Sequence, residues 1–104
     1  MFEEYHEIFQ KVLQLSRNDN NNLEDYLLEL EFEAVKVIQT IMYIGRDRDY
    51  PENSNPQDIY RYNREGLDGQ KWNSKEVEVS QIVSKAPLYG YLRDGFKILQ
   101  INIQ

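Results

Sequence analysis

A chain of 104 residues, 40% hydrophobic and 29% charged, has the composition of one globular domain with a single core. With no cysteine it has no disulfide, thiolate zinc site, iron–sulfur cluster or cysteine nucleophile. A net charge of −6 opposes nonspecific binding to duplex nucleic acid, which requires Lys and Arg to neutralise phosphate, although a local basic patch would still allow it.

The charge is unevenly placed. Residues 1–45 hold three Lys/Arg against nine Asp/Glu, whereas residues 46–104 hold nine of each. The opening MFEEYHEIFQ is acidic and amphipathic, unlike a signal peptide. No apolar run approaches the roughly 20 residues that span a bilayer. These features lead to the expectation of a cytoplasmic protein that takes no cofactor and contacts no membrane, as a monomer or homodimer.

In chain order, Phe2, Tyr5, Phe9, Val12 and Leu13 recur at spacings of three and four, which predicts a helix over residues 2–16. RNDNNN, residues 17–22, reads as a loop, because Asn and Asp bond their own backbone. Leu23, Leu27, Leu30, Ala34, Ile38 and Ile41 form one broad stripe, which predicts a long central helix over about 23–44. Gly45 follows as its stop, since glycine takes positive φ without steric cost. After a loop at 46–54, Asn55-Pro56 signals a short helix over about 56–65. GLDGQKW, residues 66–72, reads as a glycine-rich turn. Asn73-Ser-Lys-Glu76 resembles a capping box ahead of Val79, Ile82, Val83 and Ala86. A final helix is expected over about 88–99, with Gly90 and Gly95 each weakening it unless a neighbouring helix approaches closely. The tail KILQINIQ alternates and reads equally as extended.

The expected fold is therefore all-α: one domain over residues 1–104, a bundle of four or five helices around the 23–44 helix. Its expected core is Phe9, Val12, Leu27, Leu30, Ala34, Ile38, Ile41, Val79, Ile82, Val83, Leu88 and Leu92.

Catalytic patterns are scarce. Asp47 and Asp49 have the spacing that opens a calcium loop, but Pro51, Glu52 and Asp58 stand where an EF-hand needs Asp or Asn, Gly and Glu. What remains is a weak cation site at Asp47, Asp49 and Glu52, or simple pairing of Arg46 and Arg48 with nearby aspartates at a helix end. His6 is the single histidine and has no triad partner in its neighbourhood. There is no P-loop and no GxGxxG.

Two features suggest recognition. Eight tyrosines include pairs interleaved with arginine, as in IYRYNR, residues 59–64; this is a composition common at protein interfaces and on single-strand nucleic-acid platforms. Glu24, Asp25, Glu29, Glu31 and Glu33 crowd one segment, with Glu29 and Glu33 as like charges four residues apart that call for a counter-charge. The bland alternatives are tyrosines rimming a small core and a solvated acidic face.

IMYIGRD (41–47) after a long helix, with APLYGYLRDG (86–95) near the C-terminus, resembles a family of small bacterial helical domains of no assigned function. The resemblance spans about residues 27–96 and departs at Tyr43, where that pattern has tryptophan, and at Arg48, where it is closer to glycine. It implies a helical fold and no catalysis, with structural roles for Gly45, Arg46, Asp47, Pro87 and Gly95.

The leading expectation is a small acidic protein-interaction module, regulatory or immunity-like, without catalysis. Its contact residues would come from Glu29, Glu33, Arg46, Asp47, Arg48, Tyr60, Tyr62 and Arg64. The partner is a protein of unspecified identity. The alternatives are nucleic-acid binding through the Arg/Tyr-rich 46–75 segment, and a metal-assisted hydrolase at the 47–52 loop.

Overall fold

The broad apolar stripe of residues 23–44 is built as two helices rather than one. In the computed structural model, which describes residues 1–18 and 20–103, a 3-10 turn at Glu3–Tyr5 leads into α1 (His6–Asn18) and α2 (Asn20–Glu29). Next come α3 (Phe32–Asp47), α4 (Pro56–Asp68), α5 (Lys75–Val83) and α6 (Leu88–Ile98). No strand occurs among the described residues, so the fold is all-α, with six α-helices among those residues where four or five were expected. None of these helices is long and apolar enough to cross a membrane.

The break between α2 and α3 is local. Glu31 is extended, at φ −61° and ψ 149°, and the Leu30 N–H reaches back only three residues to the Leu27 carbonyl. The Leu30 carbonyl, left without a helical donor, accepts from Lys75 Nζ at 2.9 Å. A buried helix end needs such a partner. The stripe is broad because α2 lies against α1 and α5, whereas α3 lies chiefly against α6 and α4. Glu29 and Glu33 therefore stand on different helices, and the like-charge spacing inferred for them does not hold.

The expected loop at 17–22 is also corrected. Arg17 and Asn18 belong to the last turn of α1, and Asn20, Asn21 and Asn22 to the first turn of α2. Asparagine favours helix starts as much as turns. Asp19 lies outside the described residues.

Gly45 does not stop α3. The helix runs two residues further and ends where Arg48 turns left-handed at φ 51°, its N–H bonding the Ile44 carbonyl. Gly45 instead faces α6, where a Cβ would come within 1.8 Å of the Tyr91 carbonyl oxygen. Gly95 answers it from α6, with a Cβ position 2.1 Å from the Ile41 carbonyl oxygen. The two glycines let the α3 and α6 backbones touch. Gly90 takes no part, meeting only Pro87 at ordinary contact distance.

The remaining boundaries hold to within a few residues. Asn55 caps α4, its Oδ1 accepting from Asp58 N–H at 2.8 Å, with Pro56 in the first turn. α4 continues through the expected glycine-rich turn as far as Asp68. Ser74, not Asn73, caps α5. Pro87, after a cis peptide bond, precedes α6, and residues 101–103 have no regular structure. The core contains Phe9, Val12, Leu27, Ala34, Ile38, Ile41, Val79, Ile82, Leu88 and Leu92 as expected, while Leu30 and Val83 are only half-buried and Ala86 is exposed.

Candidate functional site

α3 is buried almost all round, from Ala34 through Met42, and it buries polar residues along with the apolar ones. Lys36, Gln39 and Thr40 lie at spacings of three and four, and Tyr43 continues the same face. Lys36 and Gln39 are each 1% exposed. Thr40 is satisfied within the helix, its Oγ1 donating to the Lys36 carbonyl at 2.7 Å. The other two each donate to a residue of α5.

The cap at Ser74 starts α5 in a register that turns Glu78 onto this face. Glu78 is 5% exposed. Its Oε1 accepts from Lys36 Nζ at 3.2 Å and from Gln39 Nε2 at 2.9 Å. Its Oε2 accepts from the Asn73 N–H at 3.2 Å and from Asn73 Nδ2 at 3.3 Å. Burial alone raises the carboxyl pKa. The bonds from Gln39, the Asn73 backbone and Lys36 outweigh it and hold the group below its ordinary value. Glu78 is thus an ionised, acceptor-only group in the interior.

That fact fixes Gln39. The end of its amide facing an ionised carboxylate must be the NH2, because an oxygen there would meet only lone pairs. Gln39 Oε1 then points away from Glu78, and it has no hydrogen-bond donor among the described residues. More than nine in ten buried polar groups in proteins are paired, and an unpaired one costs about 1–3 kcal/mol.

These residues floor a cleft of about 770 Å³. Tyr43 of α3, Tyr62 of α4 and Trp72 of the α4–α5 connection supply aromatic walls; Asp49, Glu65 and Lys71 supply charge. Trp72 is 37% exposed and Tyr62 49%. The Lys36 ammonium lies 4.4 Å from the centre of the Trp72 ring, the Arg64 guanidinium 5.7 Å from it, and Phe32 packs against it at 5.2 Å. Arg46 lies 4.7 Å from the centre of the Tyr43 ring. Cations of this chain already occupy positions on these rings.

Beside the cleft, Arg64 joins α4 to α3. Its two terminal nitrogens donate to the Glu33 carboxylate at 2.9 and 2.8 Å, its Nε to Asp68 at 2.9 Å, and its Nη1 also to the Tyr60 hydroxyl at 2.9 Å. The Glu33 bonds chiefly push the Arg64 pKa further up, so the charge is permanent. Burial raises the Tyr60 pKa, against the opposing pull of Arg64.

The residues singled out from sequence are thus divided. Glu33, Tyr60 and Arg64 form one structural network rather than a free contact surface. Arg46 pairs with its neighbour Asp47 at 2.7 Å, and both line the cleft with Tyr62. Arg48 crosses instead to Asp94 of α6 at 2.8 Å. Glu29 is exposed at the end of α2 and lines no part of the cleft. The tyrosines form no exposed group: Tyr62 is exposed, while Tyr5, Tyr26, Tyr43, Tyr50, Tyr60, Tyr89 and Tyr91 are half-buried against the core. His6 is exposed. Among the described residues no cluster of three or more His, Cys, Asp or Glu is arranged to hold a metal ion.

Sequence reasoning missed Lys36, Gln39, Trp72 and Glu78. One signal was available: Lys36, Gln39 and Thr40 put a polar stripe on the most apolar helix of the chain. Glu78, 42 residues from Lys36, gave none. Comparison with protein families, curated proteins and solved structures finds no match to this chain.

Proposed function

We propose that this protein is a non-catalytic interaction module whose contact site is the cleft between α3, α4 and α5. The observation that carries the reading is the buried, unpaired Oε1 of Gln39, a residue that lines this cleft together with the exposed Tyr62 and Trp72. Buried ion pairs rarely out-stabilise aliphatic packing of similar volume. A Lys36–Glu78–Gln39 cluster that also leaves one acceptor open is more readily understood as built for a ligand than for stability. Exposed tyrosine and tryptophan beside it are the residue types enriched at interface anchors. This reading moves the expected contact surface from the acidic α2–α3 segment to the cleft that Tyr43, Tyr62 and Trp72 help to line, and we place the module in the cytoplasm, with a protein partner.

The nucleic-acid alternative has less support. Arg46, Arg48, Arg61 and Arg64 each bond an acidic side chain of this chain, so they would meet phosphate already neutralised. A hydrolase at 47–52 would have to use an Asp47 committed to Arg46.

A photo-crosslinking residue placed at position 62, in cells that naturally make the protein, tests the reading. A discrete adduct with a second protein is expected there and not from position 29. Adducts from position 29 alone would return the contact surface to the acidic face, and none from either position would refute an interaction module.

A further inference from the structure

We infer that the cleft recognises a carboxamide: a group that gives an N–H to Gln39 Oε1 and takes a hydrogen bond beside it. This deepens the proposed function and rests on it, because it names what the partner must present.

The chemistry follows from what the protein leaves open. Gln39 Oε1 needs a donor. Next to it, donors are in surplus. The Lys36 ammonium has three hydrogens and Gln39 Nε2 two, yet each nitrogen makes one hydrogen bond, both to the same oxygen of Glu78. The ligand must therefore be an acceptor and a donor together.

Charged groups fit poorly. A carboxylate would be drawn to Lys36 but would set its oxygens against Gln39 Oε1 and Glu78. An ammonium would satisfy Oε1 but would be repelled by Lys36. A neutral amide offers N–H and C=O side by side in one plane, and its flat faces suit a cleft walled by Tyr43, Tyr62 and Trp72. Two sources share this chemistry: an Asn or Gln side chain of the partner, with a primary amide, and a stretch of its backbone, with a secondary amide.

Access requires movement. Gln39 is 1% exposed, so an amide reaches it as covering side chains give way. Trp72 sits on a non-helical connection, partly exposed, and is held by ring contacts with Phe32, Lys36 and Arg64. It is the side chain best placed to swing. It is also the only tryptophan in the chain, so its emission reports on the cleft alone.

The test is titration of the intact protein with small amides, read by Trp72 fluorescence and by the NMR signals of the Gln39 side-chain NH2 and the Trp72 indole N–H. Propionamide represents the side chain and N-methylacetamide the backbone. N,N-dimethylacetamide has the acceptor without the donor; propionate and 1-propanol supply the charged and hydroxyl alternatives. Saturable shifts are expected, with a dissociation constant on the order of 1–100 mM for so small a fragment. Saturation by propionamide alone assigns a side-chain amide, and saturation by N-methylacetamide assigns a backbone one. N,N-dimethylacetamide should bind at least about tenfold more weakly, and Gln39→Met should abolish the response while keeping the helical circular dichroism spectrum.

Equal shifts with N,N-dimethylacetamide, propionate or 1-propanol would overturn the assignment. So would no saturable shift, or a water held at Gln39 that a saturating amide leaves in place. Because these readings use the unmodified protein, they stand even if Gln39→Met fails to fold. Crosslinks from position 62 without amide binding would leave the interaction module intact and remove only its ligand chemistry.

Discussion

Replacing Gly45 by alanine adds one methyl group where α3 crosses α6. Helix propensity alone favours that change by about 1 kcal/mol. The structure reverses the sign. The new Cβ would lie 1.8 Å from the Tyr91 carbonyl oxygen and 2.6 Å from the Gly95 nitrogen, where ordinary contact begins near 3.4 Å. The α6 backbone would have to withdraw by about 1.6 Å, the difference between those contact distances. A backbone carbonyl inside a helix cannot rotate aside as a side chain does. Leu92, Phe96 and Leu99 would move with it, and all three are in the core. Overpacking of this kind costs about 1–3 kcal/mol; a clash with backbone falls at or above the top of that range, so a net loss of about 2 kcal/mol is expected after the propensity gain of about 1 kcal/mol. Gly95→Ala, 2.1 Å from the Ile41 carbonyl oxygen, should behave alike. Gly66→Ala is the control: nothing lies within 4 Å of its Cβ position, and it should stabilise by about 0.5–1 kcal/mol. Urea unfolding measures all three, and each 1 kcal/mol should shift the thermal midpoint by about 4–8 °C. A Gly45→Ala midpoint at or above that of the parent would refute the close crossing.

Two further predictions concern charge. Glu78 has a depressed folded pKa, so its contribution is present above the ordinary Glu value of about 4.3 and is lost as pH falls through the folded value. Glu78→Gln should cost about 3 kcal/mol at pH 7, and its deficit against the parent should shrink below about pH 4.3; a deficit unchanged from pH 7 to pH 3 in denaturant titrations would remove the buried ionised group. Glu33→Lys should destabilise the fold by about 1–2 kcal/mol, because it sets a cation against Arg64 in place of a two-pronged pair. Glu29→Lys, at the C-terminal end of α2, should change stability by no more than about 0.5 kcal/mol in either direction. Equal losses from the two reversals in urea unfolding would mean that Glu33 has no structural partner.

The helices that sequence alone could locate are those whose ends are marked chemically or whose apolar face meets its neighbours over an unbroken run. α4 announces itself through Asn55-Pro56, and α1 through Phe9 and Val12. The break at Glu31 leaves no such trace. One residue in extended conformation shifts no apolar position out of the sequence Leu27, Leu30, Ala34, and the reason for the turn lies in Lys75, 45 residues away, which takes the Leu30 carbonyl. Gly45 was misread for a related cause. A glycine that ends a helix and a glycine that admits a second backbone look the same until Gly95 is placed opposite it. The cleft is the extreme case. The stripe of Lys36, Gln39 and Thr40 was visible, yet a polar stripe on an apolar helix reads as a solvated face unless something covers it. Glu78 of α5 and Trp72 of the α4–α5 connection meet it, and neither helical periodicity nor charge count set them apart. The same comparison bears on function. Aliphatic residues at 36, 39 and 78 would have packed α3 against α5 without an ammonium, a carboxylate or an open acceptor to satisfy. The polar choice weakens the packing argument for these residues and favours the argument from binding, since an acceptor with no donor among the described residues is one that a ligand can satisfy.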